Sequence, residues 1–461
     1  MASSPAAVFA RLSDKRTPVA GPVLLKTAVV LGGSVAGLLA ARVLADHADE
    51  VVVLERDDPG TSTEPRPGVP QGAQAHVLLP AGLRQLERFF PGFAQEGVGA
   101  GGRLAPASHR HTFADGVLKV PGRADAVMLC GSRPFLEALI RRRTLALPNV
   151  RALTARATGL EFTGEAVTGV RYESEATKSV LAADFVVDAM GRASRLGDWL
   201  DQAGWEKPAL TRVEIDLNYA TAIARRTPGQ PSIEVGLSTY SPGATTDGVA
   251  AGAFCSIEDD RWMVLLSGYV GDKPGRTAED LVQLCKSTMP DDFGAIVTDE
   301  IVSLATYHLA DARRRHFHDL ERVPARLVAL GDSVASMNPI YAQGMTSAAL
   351  QASALSEFLR AQPDLNVPAR EFFALQKVVV DAPWDVATGA DLSLPHVRGP
   401  RPSGYKVKSW ASKQVVAASV RDSEINRRFE SVIFLLDHPS ILATPGTLLR
   451  SLRVNRRARR G

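Results

Sequence analysis

Three stretches of this chain combine residue types and spacings that could do chemistry. The first is Gly32-x-Ser34-x-x-Gly37, with Gly33, Val35 and Ala36 filling the turn, between an apolar run over 27–31 and a second run over 51–54 that ends on Glu55 and Arg56. A first glycine permits a tight turn, a small middle residue lets backbone approach a pyrophosphate, and the last glycine lets helix and strand pack closely. Ser34 takes the middle place, where its hydroxyl could also donate to a phosphate. Glu55 follows the second run about where a carboxylate meets ribose hydroxyls, so the set reads as a cradle for a dinucleotide.

The second stretch repeats the logic far downstream. An apolar run over 327–330 leads into Gly331-Asp332, and Pro339 and Gly344 bracket a turn that opens a helix at about Met345 and Thr346. An acid after such a strand can accept hydrogen bonds from sugar-alcohol hydroxyls. The free N–H groups and positive dipole end of the helix suit negative charge on a reduced flavin, which a nicotinamide would not need. One extended cofactor held near both ends of the chain accounts for both motifs.

The third stretch is the loop from Asp57 to Gln74, with Arg66-Pro-Gly-Val-Pro-Gln71, leading to His76. Long loops of this kind are usually functional or disordered. His76 is the low-ranked candidate catalytic residue, as a pocket acid or base; a loop histidine bonded to backbone is the commoner case. Asp188 is expected to cap a turn rather than to catalyse, and Trp262 and Tyr269 to be core. Tyr341, beside the second motif, is the aromatic of first interest.

The elements that must position these residues follow from periodicity. Helical spacing resumes at Leu83, Leu86 and Phe90, and residues 133–147 predict an amphipathic helix with Leu136, Leu139 and Ile140 on one face. Residues 185–191 predict a short strand running into a turn. Val213, Ile215, Leu217 and Tyr219 alternate with polar residues as in a sheet with one wet face; 250–255 and 262–266 predict central strands, with a turn at 259–261. From Thr346 the chain is mostly helical, with an interruption expected at Pro383 and a further helical stretch over 423–442. The expected class is α/β: a discontinuous Rossmann-like cofactor domain (26–99, 130–200 and 325–365), an inserted mixed β-sheet substrate domain (100–129 and 201–324), a helical C-terminal region (366–461) and a loose extension over 1–25.

Composition narrows the partners. A net charge of +3 on 461 residues gives no case for nucleic acid or an anionic membrane. The clusters Arg141–Arg143 and Arg313–Arg315 and the tail over 453–461 read as solvated faces and a frayed end. Cys130, Cys255 and Cys285, odd in number and widely spaced, fit a reducing cytoplasm rather than disulfides or zinc. His316 and His318 alternate as on a strand, with no acid or cysteine expected beside them, so no metal is expected. Arg42 and the turn at 32–34 spoil a signal-anchor reading of 27–45, and no membrane span or cleavable leader is expected.

Taken together, Gly-Gly-Ser-Val-Ala-Gly at 32–37, Arg-Pro-Gly-Val-Pro-Gln at 66–71 with His76, Cys-Gly-Ser-Arg-x-x-Leu at 130–136, Val-Val-Asp-Ala-Met-Gly-Arg at 186–192, Gly-Asp-Ser-Val-Ala-Ser-Met-Asn-Pro at 331–339 and Ala-Thr-Gly-Ala-Asp-Leu at 387–392 resemble the class A flavoprotein monooxygenases. The resemblance is closer to a bacterial branch of secondary metabolism that includes polyether epoxidases and is also similar to FAD-dependent non-redox cyclases. It implies FAD as cofactor, with Gly32, Ser34, Gly37 and Glu55 on the ADP half, Arg133 near the pyrophosphate and ribityl chain, Asp332 on the ribityl chain, and Gly344 and Met345 against the isoalloxazine. It further implies epoxidation or hydroxylation of an apolar, polyketide-like intermediate through a flavin hydroperoxide. NAD(P)H would be a transient reductant, or a separate flavin reductase the electron source. The alternative is a [4+2] cyclisation of a polyene in antibiotic biosynthesis. Two departures stand out: Met190 replaces the acid of the usual Asp-Gly pair, and Ala342 stands where relatives often have glycine.

Overall fold

Five short parallel strands set the frame of the site, in the order Leu327–Ala329, Phe185–Asp188, Leu25–Leu31, Ala48–Glu55, Val150–Thr154. Their sequences are nearly continuous runs of Val, Leu and Ala because a parallel sheet is covered on both faces; Val29, Val30, Val52, Val186 and Val328 are all fully buried. Helices Val35–Leu44, Arg133–Leu145 and Gly344–Arg360 are among those that flank it. The computed structural model describes residues 3–19, 21–57, 64–174, 177–298 and 300–459, so part of the 57–74 loop and the last two residues of the basic tail lie outside the described residues.

An eight-stranded sheet packs beside this frame, its strands drawn from Arg110–Ala114 and Val117–Leu118, Leu210–Arg225, Val235–Thr239, Ala251–Ile257, Arg261–Tyr269, Ile301–Arg315 and Ala335–Ser336. The alternation holds from 213 to 217, with Val213, Ile215, Leu217 and Tyr219 buried, but Asn218, expected on the wet face, is buried too and donates to the Val270 and Asp272 carbonyls. The two apolar runs after it are interior strands, joined by a turn at Asp259 and Asp260 with positive φ. Helices Arg370–Asp391, Tyr405–Ser419, Ser423–Ile433 and Pro445–Ala458 complete the C-terminal region.

Four expectations are corrected. The segment taken as a loose extension contains a helix, Pro5–Leu12, capped by Ser4 and anchored by Phe9 and Leu12, both fully buried. Pro383 does not end its helix; Arg370–Asp391 runs through it, because the buried face made by Val379, Val380, Trp384 and Ala387 outweighs one missing hydrogen bond. The arginine clusters are not wholly solvated: Arg141 and Arg314 are buried, the first against Glu137 and the second against Asp381. Finally, His316 and His318 do have an acid beside them. Asp319 closes the turn after the strand, with Oδ2 3.7 Å from His316 Nδ1 and Oδ1 3.3 Å from His318 Nε2.

Candidate cofactor and substrate site

The carboxyl ends of all five parallel strands open onto one cavity of about 600 Å³. Crevices at that edge of a parallel sheet are where such folds bind ligands. Gly32, Leu54, Glu55, Ala155, Ala189, Met190, Gly331 and Asp332 all leave the strand ends to line it. So do Ser34, Val35, Ala36, Arg56, His76, Arg133, Pro339, Gly344 and Met345, which sequence reasoning had placed at a site. Gly33 and Gly37 do not line it and are tightly packed. A Cβ on Gly37 would sit 1.8 Å from the Gly32 carbonyl oxygen, and one on Gly33 would sit 3.0 Å from Glu55 Cβ.

Charge at the glycine-turn end is balanced by a buried arginine–glutamate cluster. Glu137 accepts from Ser34 Oγ at 2.6 Å, Arg141 at 2.6 Å, Arg66 at 2.9 Å and Arg133 at 3.2 Å. Burial alone would push its carboxyl up, but Arg133, Arg66, the Ser34 hydroxyl and Arg141 hold it below the usual range. Two expectations change as a result. The Ser34 proton is spent on Glu137, while its oxygen accepts from Arg133 at 2.8 Å, so this hydroxyl braces the turn rather than serving a phosphate. Glu55 lines the cavity but also accepts from the Gly33 N–H at 2.7 Å and pairs with Arg66 at 3.1 Å, which fixes the glycine turn from beneath.

What remains free at this end suits an anion. Arg133 is buried with its Nε unpartnered among the described residues. Helix Val35–Leu44 has no side-chain cap on its first N–H groups, and Val35 and Ala36 line the cavity. A buried donor without a partner is costly, so an oxyanion here satisfies groups the fold leaves open. Asp332, half-buried on the cavity wall, makes no hydrogen bond to a described residue; burial pushes its carboxyl up while Arg133 and Arg192 draw it down. Gly344 has nothing within 4 Å of where a Cβ would project, and it opens a 17-residue helix aimed at the cavity. Ala342 adopts the left-handed φ of +53° that explains glycine's use at this place.

His76 bonds the Gln74 carbonyl through Nδ1 at 2.7 Å. Burial, with Arg133 nearby, pushes it down to about 4, so the ring is neutral at pH 7 with Nε2 unprotonated. Asp188 caps its turn as expected, accepting from Met190 N–H at 3.0 Å and Ser194 Oγ at 2.5 Å; burial raises it to about 6. Sequence reasoning missed Glu137, although its place four residues from both Arg133 and Arg141 on one helix was a readable signal. It also gave no role to Arg192, Arg195, Arg313, Tyr307 or Asn338, which line the cavity from distant strands and turns. Arg192 and Asn338 at least lie inside the motifs at 186–192 and 331–339, whereas nothing local in the sequence marks Arg195, Tyr307 or Arg313.

The fold and this site define an FAD-dependent flavoenzyme of the class A monooxygenase fold. The chain belongs to the FAD binding domain family, whose model matches residues 26–362. It is 31% identical over 430 residues to Protein Rv3254 of Mycobacterium tuberculosis (strain ATCC 25618 / H37Rv), covering 89% of this chain and 90% of that one. Among solved structures it is similar to p-nitrophenol 4-monooxygenase PnpA from Pseudomonas putida DLL-E4, with TM-score 0.64, 17% identity and coverage of 91% and 99%. It is also similar to Diels-Alderase PyrE3 of the pyrroindomycin pathway, with TM-score 0.59, 17% identity and coverage of 89% and 81%. Among the described residues no helix is long and apolar enough to cross a membrane.

Proposed function

We propose that this protein is a monooxygenase that epoxidises or hydroxylates an apolar natural-product intermediate. The observation that carries the reading is the continuity of one cavity from the charged glycine turn to Tyr307, Leu309 and Met337, with no protein-borne nucleophile–base pair among its described lining residues. The cysteines offer no thiolate either: all three are buried, with Cys255 and Cys285 pushed up to about 12 by burial and Cys130 raised by burial as well. When bound, FAD supplies the redox and oxygen chemistry. The chain's own residues then bind and shield: Arg133 and the two helix N-termini hold the anionic parts, and Tyr307, Leu309 and Met337 exclude water near the substrate. In the balanced reaction, substrate, O2, NAD(P)H and a proton give oxygenated product, water and NAD(P)⁺, with the hydride delivered directly or through a flavin reductase. The test is label transfer from oxygen gas into product, with NAD(P)H consumption that depends on substrate. Product that forms without label ends this reading.

One observation favours a second reading. Met190 lines the cavity at the turn after Asp188, where the resembling hydroxylases carry an acid serving FAD and reductant. An enzyme that uses FAD only as scaffold for a [4+2] cyclisation of a polyene has no need of that acid, and PyrE3 shares the fold. Conversion under strict anaerobiosis, without reductant and dependent on FAD, supports it; conversion that stops without oxygen excludes it.

A further inference from the structure

A second group of polar side chains is buried beyond the arginine–glutamate end. Asp391, the last residue of helix Arg370–Asp391, is fully buried. Its Oδ1 accepts from the Tyr341 hydroxyl at 2.8 Å and from Asn338 Nδ2 at 2.9 Å. Asn338 Oδ1 accepts in turn from the Tyr219 hydroxyl at 3.0 Å and the Ile340 N–H at 3.1 Å. Tyr341 and Asn338 belong to the turn that Ala342 completes in the left-handed region, and Asn338 and Ala342 line the cavity. Tyr219 belongs to the long strand of the eight-stranded sheet and packs its ring 6.4 Å from that of Tyr307, another lining residue. One carboxylate oxygen therefore joins three distant pieces of chain: a C-terminal helix, the cofactor turn and the sheet beneath the cavity.

The placement is poor for stability taken alone. A carboxylate at a helix C-terminus meets the negative end of the dipole, and its burial is costly unless every lone pair is satisfied. Oδ2 has no partner. The groups facing it are Asn338 and Tyr341 from the turn and Tyr219 and Tyr269 from the sheet, with the His396 ring tilted 45° to that of Tyr269 at 4.8 Å. No arginine or lysine contributes to its ionisation, and burial raises it to about 6. An apolar residue of similar volume would serve a plain core at least as well.

We infer that Asp391 is the positioning residue of the cofactor turn, tying residues 338–342 to Tyr219 so that the flavin-side wall and the substrate sheet keep one fixed relation. The inference rests on FAD as cofactor and not on the oxygenation reading. A chain that proved to be a cyclase would leave it intact, whereas label transfer decides the reaction without touching Asp391.

Two substitutions at one position test it with FAD as the probe. Asp391→Asn keeps an oxygen for Tyr341 and Asn338 but cannot ionise; Asp391→Ala removes the acceptor. In Asp391→Ala the expected results are an about tenfold weaker FAD dissociation constant and an altered visible flavin band. In Asp391→Asn, affinity stays within about threefold of wild type, because both hydrogen bonds persist. The wild-type flavin band shifts on titration through about 6, and that step is absent in Asp391→Asn. Tyr341→Phe, a milder change that loses one hydrogen bond, guards against a misfolded alanine variant and moves the band in the same direction by less. A wild-type band that stays flat through this pH range, or an Asp391→Ala (or, if that variant misfolds, Tyr341→Phe) band and FAD affinity equal to wild type, overturns the inference.

Discussion

The two ends of the cavity solve the same problem by opposite means. At the glycine turn, Glu137 gathers Arg66, Arg133, Arg141 and Ser34, and Glu55 ties Arg66 to Gly33, so buried charges neutralise one another and hold the backbone rigid. At the turn over 338–342, neutral tyrosines and an asparagine surround a single carboxylate with no cation beside it among the described residues. The first arrangement suits a ligand with fixed negative charge, because the unpartnered Arg133 Nε and the open helix start await one. The second suits a ring system whose charge changes during turnover, because a neutral hydrogen-bonded wall leaves the local field to the helix N-terminus at Gly344. Affinity should therefore live at the first end, and tuning at the second.

Gly37→Ala has the largest expected effect on cofactor uptake. Its Cβ has no room beside the Gly32 carbonyl, so a destabilisation on the order of 3 kcal/mol and protein that stays colourless after FAD titration are expected. A yellow, stable variant would show that the turn does not set affinity. Glu137→Ala comes next. Removing the shared acceptor from buried Arg133 and Arg141 should cost about 3–5 kcal/mol in urea unfolding and weaken FAD with it; an unchanged unfolding midpoint would dissolve the contrast between the ends.

A smaller effect concerns pH. Asp188 has a folded value near 6, above the unfolded value of about 3.9. Its contribution to stability is thus full below the unfolded value and is lost as pH rises through the folded one. The stability advantage of wild type over Asp188→Asn should shrink as pH is raised across that window, and a difference independent of pH would contradict the burial-driven shift. The smallest effect is expected from His76. With its ring neutral and its Nδ1 bound to backbone, His76→Asn should change FAD affinity and turnover by less than about threefold. An acid limb near the ordinary histidine range that vanished in the variant would instead restore it as an acid or base.

Much of the cofactor end was legible because its signals are local. Tight-turn glycines, the runs over 27–31 and 51–54, and Asp332 after its strand are all dictated within a few residues, and each reaches the cavity or braces its wall. The errors came from long-range burial. Phe9 and Leu12 looked like part of a tail until another part of the fold covered them, and Pro383 looked like a breaker until packing on its helix outweighed one lost bond. Ser34 looked like a phosphate donor because Glu137 stands 103 residues away in sequence.

The sequence by itself determined a tight glycine turn between strand and helix at residues 32–37 and a second strand-to-helix turn at 331–345, since turn sterics and strand periodicity are properties of short segments. Only the tertiary structure decided which side chains are spent on one another and which are left for a ligand. Hydrogen-bond satisfaction depends on partners that the chain delivers from far away, as Asp391 reaches Asn338 and Tyr341 and, through Asn338, Tyr219.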